Sequence, residues 1–226
     1  MTRFPSTLWS VVVAAGAGSR KALEELARRY ERPIRLFVRG RGYGEHDAED
    51  LVQQFFVFLL EANLPGRADS RRGRFRSFLC AALRHFLADQ ADRARAAKRG
   101  GDRRELSLDS EGAEERLGVA DRSTPDRVFA ALCARETVSR ALARLEGEIT
   151  PRAAEIFELS TSPGQPSYRE IGERFGISEN AVAASVHRTR ARLKALVLDE
   201  VRATVASPRD VLDDLAELLA ALGEDR

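Results

Sequence analysis

Apolar positions recur at spacings of three and four along most of the chain, the mark of amphipathic helices. The first such run predicts a short helix over Thr7–Ala15, capped by Ser6 or Thr7. A longer helix covers Ser19–Arg39, with Leu23, Leu26, Tyr30, Ile34 and Phe37 on one stripe and Pro33 as an expected kink. Asp47–Glu61 is a third helix. Leu51, Phe55 and Phe58 share one side of it, Val52 and Leu59 lie beside them, and Asp47 is the expected cap. Asn63–Arg74, marked by Pro65, Gly66 and Gly73, reads as a loop. From Phe75 to about Ala97 the period returns through Phe78, Leu79, Ala82, Leu83, Phe86 and Leu87. Lys98 to Thr124 breaks it with Gly100, Gly101, Gly112 and many charges, as a flexible linker does. Thr124-Pro125 opens a second helical unit through Val128, Leu132, Val138, Leu142 and Leu145.

The pattern therefore predicts an all-α chain of two small helical domains joined by a flexible linker, the second containing a helix-turn-helix. Its expected parts are an extension over 1–18, a first domain over 19–97, a linker over 98–124, a second domain over 125–197 and an amphipathic extension over 198–226. In that extension, Leu212, Leu215 and Leu219 are expected to pack back on the second domain. An autoinhibitory or sensory helix is the other reading.

The segment after the loop Pro163–Pro166 is the most specific. Ser167-Tyr168-Arg169-Glu170 has the capping-box pattern. Ile171 and Phe175 face inward four apart, Gly172 is small where helices approach, and Gly176 suits a turn of positive φ. Ile177 plugs that turn and Ser178 caps the next helix, on which Val182 and Val186 again face inward. Asn180, Ala183, Ala184, His187 and Arg188 are left facing outward with Glu179, and Arg190, Arg192 and Lys194 follow. A helix so presented fits the DNA major groove, and the later cations suit phosphates. A helical hairpin in another all-α protein has the same period but not the two caps and the glycine spacing.

Charge sharpens this reading. The net charge is only +2, yet Arg67–Arg104 holds twelve Arg or Lys against four Asp. Glu45–Glu61 holds five acids and no Lys or Arg, and the tail from Leu198 has eight acids against three Arg. Such asymmetry suits a polyanion on one surface and a basic partner on another. Within the basic stretch, Arg71, Arg72, Arg74, Arg76, Arg84 and Arg93 accompany His85 and Asp89. The rings of Phe75, Phe78 and Phe86 read as core, and the loop Asn63–Arg74 is the better candidate for holding a flipped base. Asp47, Asp50 and Gln53, every third residue, form an acidic ridge with Glu49. Taken alone, the ridge reads equally as helix capping and a solvated face.

Other chemistry finds little support. Cys80 and Cys133 lie far apart in apolar surroundings and read as buried thiols of a reducing compartment. His46, His85 and His187 are dispersed without metal-ligand spacing, and no cofactor is implied. Gly40, Gly42 and Gly44 lack the Lys-Ser/Thr of a phosphate loop. The apolar run Leu8–Ala15 is preceded only by Arg3 and does not read as a signal peptide, and no stretch has transmembrane length. The expectation is a cytoplasmic protein with no membrane partner.

Together these segments resemble the extracytoplasmic-function sigma factors of bacterial RNA polymerase. Carrying the resemblance are Asp47-Ala48-Glu49-Asp50-Leu51-Val52-Gln53-Gln54, Phe75-Arg76-Ser77-Phe78-Leu79, Ser167-Tyr168-Arg169-Glu170-Ile171-Gly172, Ile177-Ser178-Glu179-Asn180-Ala181-Val182 and Val186-His187-Arg188-Thr189-Arg190. The resemblance implies a protein that is not an enzyme and has core RNA polymerase, promoter DNA and an anti-sigma factor or other regulator as partners. Asp47, Glu49, Asp50 and Gln53 would bind the polymerase clamp helices. The basic residues Arg71, Arg72, Arg74, Arg76 and Arg93, with Arg84, His85 and Asp89, would contact and open the −10 element. Ser178, Asn180, Ala183, Ala184, His187, Arg188, Arg190 and Arg192 would meet the −35 element, and the second domain would touch the polymerase flap. Phe78 stands where Trp is usual and His85 where Asn is usual. Ala183 and Ala184 replace polar readers, which points to shape readout or methyl contacts at −35. A stand-alone helix-turn-helix regulator is the competing reading, but it leaves the acidic ridge and the long basic helix unexplained.

Overall fold

The computed structural model describes residues 8–68, 74–98, 124–205 and 211–223. Among them are ten α-helices and no strand. By packing, the chain divides into two units, one of residues 1–136 with 204–226 and one of 137–203. The expected linker lies almost wholly outside the described residues.

The first unit begins with α1 (Leu8–Gly16) and α2 (Arg20–Arg39). Ser19 caps α2 by accepting the Ala22 N–H at 3.4 Å. Pro33 sits inside α2, which continues to Arg39. Ile34, Phe37 and Val38 beyond it are buried, and burial of that face outweighs the lost backbone bond. Helix α3 spans Glu45–Glu61 and starts two residues earlier than expected. Its cap is the extended Gly44, which has no side chain to offer, and Asp47 lies in the first turn. Asp47 is therefore not a cap; its charge complements the unpaired N–H groups at that end.

The expected loop after α3 contains a short helix, α4 (Leu64–Arg67), entered through Asn63 at φ 45°. Asn tolerates this left-handed conformation better than most residues. Leu64 and Pro65 are buried, so this end of the segment is anchored in the core. Helix α5 (Phe75–Lys98) supplies Phe75, Leu79, Leu83, Phe86 and Leu87 to that core. Phe86 meets Phe55 and Phe58 at centroid distances of 5.4 and 5.7 Å, and Tyr30 meets Phe75 edge-on at 5.7 Å. The phenylalanines expected as core thus pack as core, with Phe78 partly buried against it.

Helix α6 (Pro125–Glu146) starts where expected, with Thr124 Oγ1 accepting the Arg127 N–H at 3.4 Å. However, its first residues do not open a separate domain. Phe129 and Cys133 belong to the core of the first unit, where Phe129 meets Phe37 at 5.4 Å. Packing divides the chain inside α6, not at Pro125. The first unit closes with α10 (Val211–Gly223), which buries Val211, Asp214 and Leu218. Leu212 and Leu219 are 71% and 56% exposed. The expectation that the tail packs through Leu212, Leu215 and Leu219 on the second domain is corrected: Leu215 alone of the three is half-buried, and the helix belongs to the first unit. It packs within the first unit through Val211, Asp214 and Leu218.

The second unit holds the rest of α6, α7 (Pro151–Leu159), α8 (Tyr168–Phe175) and nearly all of α9 (Glu179–Thr204). The sequence pattern did not separate α7 from α6. Gly147–Thr150 breaks the chain, Thr150 caps α7 by accepting the Ala153 N–H at 3.3 Å, and Pro151 takes its first turn. Ile156 of α7 joins Ile171, Val182 and Val186 in one cluster, while Ala141, Leu145 and Leu196 form another. Glu200 is buried on α9 and accepts hydrogen bonds from Arg140 at 3.3 Å and Arg144 at 3.0 Å.

Candidate nucleic-acid interface

The α8–turn–α9 segment is fixed by four local devices. Ser167 Oγ accepts the Glu170 N–H at 3.2 Å, and Glu170 accepts the Ser167 N–H at 2.7 Å. These bonds pull the Glu170 carboxyl below its usual range. Gly176 ends α8 at φ 63°, in the left-handed region glycine favours. A Cβ on Gly172 would stand 2.6 Å from the Ile177 carbonyl oxygen, so only glycine lets the turn pass this close. Ser178 Oγ accepts the Ala181 N–H at 3.2 Å, which gives this side chain the capping role.

Burial then sorts α9. Val182, Val186 and Thr189 are buried. Asn180, Ala184, His187, Arg188 and Arg190 are exposed, and Ala183 is half-buried beside them. At about 100° per residue, Asn180, Ala184 and His187 fall on one strip opposite the buried face, with Ala183 and Arg188 on its flanks. Arg192 turns towards the edge and donates to Glu148 at 2.5 and 2.9 Å. Its guanidinium is engaged within the unit.

On α3, Asp47, Glu49, Asp50 and Gln53 are all exposed. Asp50 lies 3.9 Å from His46 on the next turn. Glu45, by contrast, is held by Arg35 and Arg39 of α2, so the negative charge left unpaired begins at Asp47. The ridge is a solvated acidic face on a helix whose other side is packed.

The −10 candidates do not form one surface. Arg71 and Arg72 lie outside the described residues. Arg76, Cys80 and Arg84 form one row on α5, four residues apart, against α6 and α10. Arg84 donates to Asp126 at 3.5 Å. Arg76 is only 6% exposed; it pairs with Asp214 and donates to Glu217 at 2.8 Å. Arg74, half-buried, also pairs with both acids. Burial works against the charge of Arg76, but the Asp214 carboxylate and the bonds to both acids outweigh it and hold the guanidinium more firmly protonated. A second row holds His85 and Asp89, half-buried, and exposed Arg93. Desolvation raises the Asp89 carboxyl above its usual range, with Arg93 and His85 opposing.

The residues missed from sequence are the acids that partner these arginines: Asp126, Glu148, Asp214 and Glu217. For Asp214 and Glu217 the signal was the excess of acid in the tail; Asp126 and Glu148 had none. Cys80 and Cys133 are buried thiols, not joined in a disulfide, and burial pushes the Cys133 thiol up to about 12. Among the described residues no group of three or more His, Cys, Asp or Glu could hold a metal ion. No helix of the described residues is long and apolar enough to cross a membrane.

No curated protein and no solved structure matches the chain. A family model described as ECF sigma factor matches residues 11–221, from α1 to the last turns of α10. An all-α chain with an exposed acidic helix, a basic helix and a capped helix pair is thus placed by a match over nearly its whole length: it belongs to the ECF sigma factor family.

Proposed function

We propose that this sigma factor binds core RNA polymerase through the α3 ridge, contacts and opens the −10 promoter element through the first unit, and meets the −35 element through α9. The family supports the polymerase-binding, regulatory role. The observation that carries the finer assignment is the division of α9 into a buried face and an exposed strip of Asn180, Ala184 and His187 flanked by Ala183 and Arg188, held by a capping box and a glycine turn. Small residues at Ala183 and Ala184 let the helix approach the groove closely. They offer methyl contacts rather than hydrogen bonds, so the −35 contact anchors more than it discriminates. Arg188 and Arg190 supply positive charge for flanking phosphates.

On α3, Asp47, Glu49, Asp50 and Gln53 offer carboxylate and amide groups to basic clamp helices. In the first unit, Arg93, His85 and Asp89 form the row of α5 open to DNA in the free chain, and the segment from Asn63 to Arg74 is the site for an extruded base. The test is reconstituted transcription with core polymerase and genomic DNA. Defined start sites that depend on this chain are expected. Promoter binding by the chain alone, with no association with core enzyme, would instead indicate a stand-alone regulator.

A further inference from the structure

The acidic tail helix and the basic helix meet at one point, and the meeting has a consequence for DNA binding. Asp214 is fully buried, accepts from Thr204 Oγ1 at 3.2 Å and pairs with both Arg74 and Arg76. Glu217, one turn on, pairs with the same two arginines. Two guanidinium groups from the start of α5 are thus held by two carboxylates from α10.

The rest of this attachment is thin. Val211 and Leu218 are the only buried apolar side chains of α10, while Leu212 and Leu219 face outward. A cleft of about 270 Å³, partly open to solvent, lies beside α10, α5 and α6, lined by Arg76, Ser77, Cys80, Phe129, Ala220 and Ala221. Arg76 Nε is buried without a hydrogen-bond partner. A close-packed helix leaves neither a hollow nor an orphaned donor. Removing charges from water to form such a pair adds little net stability compared with apolar packing. The contact is selective for charge and weak in packing, as suits a contact that is exchanged.

We propose that α10 is an intramolecular competitor for a phosphate-binding site. Asp214 and Glu217 occupy Arg74 and Arg76 in the free chain, and nucleic acid takes over these arginines when α10 leaves. This rests on the reading of the start of α5 as a −10 contact. A backbone phosphate can replace either carboxylate, because guanidinium groups donate equally to carboxylate and phosphate oxygens. A polyanion gains in addition from counterion release, which a tethered helix does not. The sigma factor would then bind DNA poorly until another contact, such as the polymerase, displaces the tail.

The experiment uses the full chain and a single-stranded 15-mer of mixed sequence at low salt. Asp214→Asn with Glu217→Gln is compared with Asp213→Asn with Glu61→Gln, which removes equal charge at exposed positions away from the arginines. The first pair is expected to bind about tenfold tighter than the second. Its salt dependence should steepen by about 1.4, as two extra contacts on a single strand give. Arg74→Gln with Arg76→Gln in the same background should abolish the gain. Equal binding by the two acid pairs, with the arginine pair still weakening the otherwise native chain, would overturn the competition and leave the −10 reading intact. No effect of the arginine pair in either background would overturn both. Hydrogen exchange on the unaltered chain gives a readout that needs no variant to fold: residues 211–223 should lose protection at saturating DNA, and retained protection there would refute the proposal.

Discussion

Replacing Gly172 by alanine probes the α8–turn–α9 geometry at its tightest point. The added Cβ would stand 2.6 Å from the Ile177 carbonyl oxygen and 3.5 Å from the Glu179 nitrogen. The obstructing atom is backbone, so no side-chain rotation relieves the clash. The Ile177 N–H also donates to the Gly172 carbonyl at 3.0 Å, and opening the turn weakens this bond. Overpacking costs ~1–3 kcal/mol and a strained hydrogen bond ~1, while alanine returns ~1 in helix propensity. The net loss is about 2 kcal/mol, or about 8–16 °C for a unit of this size unfolding on its own. Gly223→Ala is the control, because its Cβ would meet nothing within 4 Å. Thermal unfolding followed by circular dichroism reads both. A Gly172→Ala chain that melts within about 2 °C of the native one would refute the claim that close approach requires glycine here.

Asp50→Lys with Gln53→Lys should weaken co-purification with core polymerase at least tenfold and leave the melting temperature nearly unchanged, since both side chains are exposed; unchanged co-elution would remove α3 from the interface. His187→Ala with Arg188→Ala should lower affinity for promoter duplex without altering polymerase binding, and equal loss of both would mean unfolding instead. Maleimide should label Cys80 and Cys133 only in denaturant, because burial raises both thiols and leaves little thiolate; rapid labelling of the folded chain would contradict their packing. The Glu170 carboxyl is depressed by the Ser167 hydroxyl and N–H, so the capping contribution is complete above the usual carboxylate range and is lost as pH falls through the lowered value. Glu170→Gln should flatten this part of the acid transition in unfolding curves, and an unaltered transition would assign it to other carboxylates.

The pair α8 and α9 and the turn between them were legible because their determinants are local. The capping box, Gly172, Gly176 and Ser178 each act within a few residues, and the structure has all four. The helices of the first unit were legible from their stripes, but their ends were less so. Gly44 caps α3 with backbone alone, and a cap without a side chain leaves no chemical signal. The break before α7 did leave one, in Gly147 and Thr150-Pro151, but the apolar period continuing through Leu145 masked it. The unit boundary was not legible, since periodicity says that Phe129 and Cys133 are buried without saying against what. The same limit explains Arg74 and Arg76. In sequence they extend a basic run; the acid that Arg76 holds is 138 positions away.

Helix α9 runs unbroken for 26 residues. Its far end is pinned at Glu200 by Arg140 and Arg144, and its near end carries Asn180 and Ala184. Some twenty residues separate the two, about 30 Å of helix. A rod of that length acts as a lever: a tilt of about 2° at the pinned end swings the near end by about 1 Å, a large part of a hydrogen bond's tolerance. The aim of the exposed strip is therefore set remotely, and Glu200→Gln should lower affinity for promoter duplex in a binding titration while leaving every exposed α9 side chain in place; unchanged affinity would refute the lever.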